Sequence, residues 1–168
     1  MRLGCGVRYL TVVYTDGACL RNGKKGARAG VGVYFGEGDE RNVSERLEGD
    51  LQTNQRAELT AALRALQLVP REEGMELYSD SKYTVNAMTV WRRSWRASGW
   101  AKPLANYDLF RALDAVLEER EACEVSTLCK YVRAHAGCDG NEAADRLAKA
   151  GAERAQASEQ SPSEARVL

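Results

Sequence analysis

Runs of β-branched, aromatic and other apolar residues in the first third of the chain predict three strands. The first covers roughly Tyr9–Thr15, the second lies near Ala29–Phe35, and the third alternates over Asn42–Leu47. Polar turns that contain glycine separate these strands at residues 22–26 and 36–39. Because such short turns join neighbouring strands, the pattern predicts an antiparallel meander at the start of the fold.

From residue 54 the apolar spacing changes to that of helices. Asn54–Leu68 carries apolar residues at i, i+3, i+4 and i+7, and Pro70 and Gly74 end the predicted helix. The remaining predicted elements are, in order, a strand over Met75–Ser79, a helix over Ser81–Met88, a basic aromatic insert over Trp91–Trp100, a helix over Tyr107–Arg120, a strand over Val125–Val132 and a helix over Asn141–Arg154. Together they predict an α/β fold: a five-stranded mixed sheet whose first three strands are antiparallel and which is flanked by helices.

The 168 residues suffice for one domain with its own core. We expect a short N-terminal extension over residues 1–8, a folded domain over 9–154 and a disordered tail over 155–168, which is rich in Ala, Ser, Glu and Gln. No stretch approaches the run of about 20 apolar residues that spans a membrane, and no secretory signal is visible. The five cysteines form no C-x-x-C pair, which favours free thiols in a reducing compartment. We therefore expect an intracellular protein of the nucleus, the cytoplasm or an organelle, without a membrane partner.

The net charge of zero, from 24 basic and 24 acidic residues, conceals an uneven distribution. The segments Leu20–Gly30 and Ser81–Ala105 contain several Lys and Arg residues and no acid. Local patches, rather than the overall sum, attract phosphates. A nucleic-acid ligand is therefore compatible with the neutral total.

Four acidic residues each lie in a short motif of their own. Taken singly, each has an ordinary explanation, as a turn residue, a solvated helix residue, a helix N-cap or an acid in a first helical turn. Together, at two predicted strand ends and two predicted helix starts, they should meet at one rim of the sheet, where Mg²⁺ finds the carboxylates it prefers. These acids are Asp16 in Tyr14-Thr15-Asp16-Gly17, Glu58 in Thr53-Asn54-Gln55-Arg56-Ala57-Glu58, Asp80 in Tyr78-Ser79-Asp80-Ser81, and Asp145 in Gly140-Asn141-Glu142-Ala143-Ala144-Asp145.

These motifs, and the spacing from His135 to Asp145, closely resemble ribonuclease H, type 1, over Tyr9–Arg154. The segment Trp91-x-x-x-Trp95-x-x-x-Gly99-Trp100 looks like the basic protrusion of the eukaryotic-type enzymes. The resemblance implies a ribonuclease H-like fold and an endonuclease that hydrolyses the RNA strand of RNA–DNA hybrids, leaving 5′-phosphate and 3′-hydroxyl ends. We expect a monomer that binds the hybrid duplex, with no protein partner evident.

By the same resemblance the four carboxylates bind two Mg²⁺ ions, for which Mn²⁺ can substitute. Asp16 would lie between both ions, Asp145 on the side of the nucleophilic water, and Glu58 and Asp80 on the side of the leaving group. His135 is the only histidine, and it occupies the position of the family's flexible-loop histidine. There it would assist catalysis without binding metal, although a single loop histidine taken by itself is more often an ordinary surface residue.

Amide side chains supply both donors and acceptors for the 2′-hydroxyl that distinguishes RNA from DNA. The positions that match this role are Asn22, Asn54 and Gln55. A pair of tryptophans at i, i+4 spacing in the insert combines with arginines as phosphate-binding surfaces do, but it also fits the core side of an amphipathic helix. The predicted contacts to the DNA strand and to phosphates are Thr53, Trp91, Arg92, Arg93, Trp95, Arg96 and Asn106.

Two positions depart from the family pattern. Arg133-Ala134 precede the histidine where Pro-Gly is usual, which puts the geometry of that loop in question. Leu51 stands where an arginine often helps to hold a DNA phosphate.

Three alternative functions remain open from the sequence. One is a catalytically silent hybrid-binding module of the same fold, although such modules tend to lose acids and all four are present here. The second is another nuclease or a strand-transfer enzyme of the superfamily. The third is the ribonuclease H domain of a reverse transcriptase.

Overall fold

The computed structural model describes residues 10–101, 104–134 and 136–159, with side chains as far as residue 154. The strands are β1 (Thr11–Leu20), β2 (Arg28–Tyr34), β3 (Val43–Arg46), β4 (Met75–Ser79) and β5 (Thr127–Tyr131). The helices are α1 (Asn54–Leu68), α2 (Lys82–Asn86), α3 (Arg92–Ala97), α4 (Tyr107–Ala122) and α5 (Asp139–Glu159), and a π-helical turn (Ala87–Trp91) joins α2 to α3. Within the described ranges, no helix has the length and apolar character needed to cross a membrane.

The five strands form one mixed sheet in the order β3-β2-β1-β4-β5, which confirms the predicted architecture. β1, β2 and β3 pair antiparallel, whereas β4 pairs parallel with both β1 and β5. The pairing of β1 with β4 ends where Thr15 meets Ser79, but β1 continues along β2 as far as Leu20. The predicted end of the first strand at Thr15 was therefore wrong. Asp16-Gly17 has the composition of a turn, but hydrogen bonds to β2 keep these residues extended.

Helices cover both faces of the sheet at close range. A Cβ atom on Gly17 of β1 would overlap the backbone nitrogen of Glu58, so this glycine faces α1. Neighbouring residues of a strand point to opposite faces, and on the other face α5 packs against Gly30 and Gly32 of β2. A Cβ atom on Gly32 would overlap the carbonyl oxygen of Ala144. The sheet therefore has α1 on one side and α5 on the other, each near enough to bring its side chains to the same rim.

The main core contains aliphatic and aromatic residues of the sheet, α1 and α4. Arg120 of α4 lies within this packing and is fully buried. Its guanidinium donates hydrogen bonds to the carbonyl oxygens of Val69, Pro70 and Glu73 and to the hydroxyl of Thr127. These bonds satisfy the buried charge and join α4 to the segment between α1 and β4 and to β5.

Two predicted elements differ from the structure in kind or length. The insert expected over Trp91–Trp100 is largely helical, because α2 continues through the π-helical turn into α3. α5 extends to Glu159, so residues 155–159, expected to be disordered, are helical in this structure. Ala, Gln and Glu in that stretch are good helix formers. The expected extension over 1–8 and the rest of the tail, 160–168, lie outside the described residues.

Candidate active site

Three of the four predicted carboxylates lie together. Asp16, Glu58 and Asp80 each offer an oxygen atom, and these atoms all lie within 4.8 Å of one another. Asp16 lies inside β1, opposite Gly32 of β2, rather than at a strand end as predicted. Asp80 directly follows β4, whose last paired residue lies beside Thr15. Asp16 and Asp80 therefore meet where the parallel half of β1 ends, at the rim that the sequence predicted.

Glu58 reaches this rim from the second turn of α1. Gly17 makes the approach possible, because any side chain there would overlap the backbone of Ala57 and Glu58. The Glu58 carboxylate is buried, with 6% of the residue exposed. Its Oε1 accepts a hydrogen bond from Asn54 at 3.4 Å, whereas Oε2 accepts none from any described residue. A buried carboxylate oxygen without a donor is a group that a cation would satisfy.

Burial and mutual repulsion disfavour the full negative charge of this cluster. Burial raises the pKa of Asp16 to about 7, and the charges of Asp80 and Asp145 act in the same direction. The pKa of Glu58 is also raised well above its ordinary value, by burial first and then by Asp16 and Asp80. The amide of Gly17, 2.8 Å from Asp16 Oδ1, lowers the pKa of Asp16 and offsets only part of the increase. A divalent cation at this position would compensate the buried charges, so the donor set suits a metal.

Asp145 lies at the edge of the cluster. It belongs to the second turn of α5, not to a helix start as predicted, because the helix begins at Asp139. Its charge raises the pKa of Asp16, so the two carboxylates are near neighbours. Asp145 is not one of the three residues within mutual ligand distance, and its Oδ2 forms an ion pair with Lys149 at 2.6 Å. The structure thus brings the fourth acid to the site without placing it in the group of three.

Asn141 is a residue of the site to which sequence reasoning assigned no role. It is buried, and its Nδ2 donates a hydrogen bond to Asp80 Oδ2 at 3.0 Å. Its Oδ1 has no hydrogen-bond partner among the described residues. Gly140 allows α5 to begin here, because a Cβ atom on it would overlap the ring of Tyr14. The available signal was a polar residue beside a glycine at a helix start, within a motif that was used only for its spacing.

The predicted 2′-hydroxyl contacts lie beside Glu58. The side-chain Oδ1 of Asn22, in the β1–β2 turn, accepts a hydrogen bond from the backbone amide of Asn54 at 3.1 Å. Asn54 in turn donates to Glu58, and Gln55 is exposed next to it. These three residues therefore form one polar surface that leads to the carboxylates, while their contact with RNA stays a prediction.

The arginines of the insert are used mainly inside the protein. Arg92 is buried, and its Nη1 lies 3.1 Å from Asp114 Oδ1. Arg96 pairs with the same Asp114 and, at 2.8 Å, with Glu118. Arg92 is thus buried and paired within the protein, and the charge of Arg96 is compensated by two acids, so both predicted phosphate contacts stay predictions. Arg93 is exposed and remains a candidate.

The two tryptophans of the insert pack on the core. The ring centroid of Trp95 lies 4.6 Å from that of Phe110, and Trp91 lies 5.7 Å from Tyr83 in an edge-on arrangement. Both tryptophans are partly buried against the main core. The alternative that they form the core side of a helix therefore describes their contacts, and their contact with DNA stays a prediction.

Thr53 and Asn106, predicted to hold a phosphate, meet around an arginine that sequence reasoning missed. Thr53 caps α1 by accepting a hydrogen bond from the backbone amide of Arg56 at 3.2 Å. The Arg56 side chain contacts Asn106 Oδ1 at 3.4 Å and forms a two-point ion pair with Asp108. Leu51, two residues before Thr53 in the sequence, is 66% exposed.

The remaining predicted residue, His135, lies outside the described residues.

A protein-family model and several known proteins are similar to this chain over most of its length. The family model described as RNase H matches residues 9–153. The chain is 42% identical over 147 residues to a human protein named Ribonuclease H1. The aligned region covers 86% of this chain and 51% of the human one. The chain therefore spans about half the length of that relative. It is 36% identical over 148 residues to Ribonuclease HI of Rickettsia prowazekii, covering 86% of this chain and 91% of that protein.

A solved structure of similar fold is the foamy viral protease–reverse transcriptase in complex with an RNA/DNA hybrid, with a TM-score of 0.73. The match covers 92% of this chain and 21% of that one, and at 22% identity it supports the fold alone. The sheet order, the converging carboxylates and the match of the family model to nearly the whole described region lead to the same assignment. The chain belongs to the RNase H family.

Proposed function

We propose that this protein is an endonuclease that hydrolyses the RNA strand of RNA–DNA hybrids and leaves 5′-phosphate and 3′-hydroxyl ends. The observation that supports this most is the group of Asp16, Glu58 and Asp80, of which Asp16 and Glu58 are buried, with Asp145 beside it. A hybrid-binding module has no need of such a group, because burying carboxylates is costly unless a cation compensates them. The names of the relatives point in the same direction.

The proposed cofactor is a pair of Mg²⁺ ions, with Mn²⁺ as a substitute. Asp16, Glu58 and Asp80 would hold the metal, and the unsatisfied Oε2 of Glu58 is a free ligand atom for it. Asp145 would join them after releasing Lys149. When bound, divalent cations lower the pKa of a coordinated water molecule and neutralise the negative charge on the leaving oxygen. Asn141 keeps the Asp80 carboxylate oriented through its hydrogen bond.

Selection of RNA would come from the polar surface formed by Asn22, Asn54 and Gln55. Amides can donate to and accept from a 2′-hydroxyl, and this group distinguishes the RNA strand in the wide minor groove. The hydrogen bond between Asn22 and the start of α1 orders this surface before substrate arrives. Because Asn54 also contacts Glu58, a bound ribose would lie next to the carboxylates.

The test is to offer labelled RNA–DNA, RNA–RNA and DNA–DNA duplexes in parallel, with Mg²⁺ present. We expect cleavage of the RNA strand of the hybrid only, with 5′-phosphate ends. Asp16→Asn keeps the size of the side chain but removes its charge, and should abolish cleavage while leaving hybrid binding largely intact. Binding of the hybrid without any cleavage by the unaltered chain would instead favour the silent binding module. Normal turnover by the Asp16→Asn variant would contradict the proposed metal site.

A further inference from the structure

The acidic side of α4 binds the helix that carries the basic insert. We use the term basic arm for residues 87–97, the π-helical turn together with α3. Three acids recur on α4 at helical spacing, and each pairs with an arginine of the arm. The pairs are Asp114 with Arg92 and Arg96, Glu118 with Arg96, and Glu121 with Arg92.

Asp114 is the central and most buried member of this set. Its residue is 5% exposed, whereas the side chains of Glu118 and Glu121 are 53% and 51% exposed. Arg92 donates to Asp114 Oδ1 at 3.1 Å, and Arg96 donates to Oδ1 at 2.5 Å and to Oδ2 at 3.2 Å. One carboxylate thus receives hydrogen bonds from two arginines. Because charged hydrogen bonds that are shielded from water are the strong ones, Asp114 contributes more than the two exposed acids.

Arg92 also secures the π-helical turn. Its Nε donates to the carbonyl oxygen of Met88 at 3.0 Å, inside that turn. Turns of this kind are uncommon and widen the helix locally, which changes the direction of the residues that follow. Asp114 therefore holds the side chain that in turn makes a hydrogen bond within the π-helical turn before α3.

The rotation of α3 about its own axis decides where Arg93 points. Arg92 and Arg96 are four residues apart and so lie on one face of the helix, against α4. Arg93 is one residue further on, about 100° around the helix, and is exposed. Among the residues that the structure describes, its side chain makes no hydrogen bond or ion pair. It is thus the arginine of the basic arm that is available to a phosphate.

We propose that Asp114 is a positioning residue for hybrid binding. Its ion pairs with Arg92 and Arg96 set the rotation of the basic arm about its axis, and this rotation directs Arg93 to a phosphate of the duplex. This inference rests on the proposed function for the identity of the ligand. It assigns Arg92 and Arg96 to the support of the arm and leaves the substrate contact to Arg93.

The test is a double-mutant cycle between Asp114→Asn and Arg93→Ala. Equilibrium binding of a fluorescently labelled RNA–DNA hybrid is measured in the Asp16→Asn background, in which the substrate should not be cut. Arg93→Ala alone should raise the Kd roughly fivefold, as expected for one phosphate contact. Asp114→Asn should raise it by a similar or larger factor, and adding Arg93→Ala to it should then change the Kd by less than about twofold. In the cleavage-competent protein, Asp114→Asn should raise KM while kcat changes little.

Arg120→Met provides the matched control, because it removes a buried arginine of the same helix that does not touch the basic arm. It should lower the Tm but leave the Kd, and the effect of Arg93→Ala, unchanged. If Asp114→Asn does not fold, Arg96→Gln removes one of the two partners and should show a smaller loss of the same coupling. An unchanged Kd for Asp114→Asn, fully additive effects in the cycle, or the same loss of coupling in Arg120→Met would each overturn the proposal. A chain that binds the hybrid but does not cut it would refute the proposed activity and leave this cycle interpretable.

Discussion

The raised pKa of Asp16 predicts that, without metal, the protein loses stability as the pH rises. The ordinary pKa of this carboxyl is 3.8, and the folded protein raises it to about 7. Between these values the folded state keeps a proton that the unfolded chain releases. The resulting stabilisation is complete below the ordinary pKa and is lost as the pH rises through about 7. Glu58, whose pKa is also raised, acts in the same direction.

The size of the effect follows from the difference between the two pKa values. At 1.36 kcal/mol for each pH unit, a rise from 3.8 to about 7 corresponds to roughly 4 kcal/mol of lost stability. This is a large part of the roughly 5–15 kcal/mol that stabilises a typical domain.

The perturbation is Asp16→Asn, and the assay is urea unfolding in the presence of EDTA at about pH 5 and about pH 8. The stability of the unaltered protein should be clearly lower at about pH 8 than at about pH 5. The stability of the variant should depend much less on pH, and at about pH 8 it should exceed that of the unaltered protein. Asp50→Asn, which removes an exposed acid, is the control for the loss of one negative charge. Mg²⁺ should restore stability to the unaltered protein at the higher pH. Equal pH dependence in the unaltered protein and the Asp16→Asn variant would refute this account of the site.

Gly32→Ala should lower the free energy of unfolding by roughly 1–3 kcal/mol, because the new Cβ atom would overlap the Ala144 carbonyl; an unchanged Tm in calorimetry would contradict that packing. His135→Ala should slow turnover in a hybrid cleavage assay but spare part of the activity, and complete inactivity would indicate an obligatory chemical role. A DNA duplex with a single ribonucleotide should stay uncut where continuous RNA paired with DNA is cut, since Asn22 and Asn54 lie on separate elements. Incision at the lone ribonucleotide would show that one 2′-hydroxyl suffices for recognition.

Local signals sufficed for the elements whose ends are encoded locally. α1 and β4 have the predicted bounds because Thr53 caps the one and Pro70 and Gly74 separate the two. The rim at which the acids meet could also be predicted, since it follows from the order of strands and helices. The place of Asp16 within its strand could not, because β2 holds residues 16–20 extended through hydrogen bonds that their own sequence does not reveal.

The charge pattern of the basic arm was misleading for a related reason. The segment from Ser81 to Ala105 contains no acid, so its arginines looked free to bind phosphate. Their partners lie on α4, and Asp114 is 18 residues from Arg96 and 22 from Arg92 in sequence. A charge that is compensated by a distant element cannot be distinguished from a free one until the packing of the helices is known.

The contact between α5 and β2 has a consequence for how the site tolerates change. In most contacts between a helix and a sheet, close-packed side chains fill the space between the two main chains. At Gly30 and Gly32 the main chain of α5 lies directly against the main chain of the strand, and Gly151 repeats this against Glu45. Because no side chain separates the two main chains here, Asp145 moves together with the helix main chain whenever that contact shifts. The spacing between Asp145 and Asp16 is therefore a property of the backbone, and redesign of that spacing would have to begin with the glycines rather than with the carboxylates.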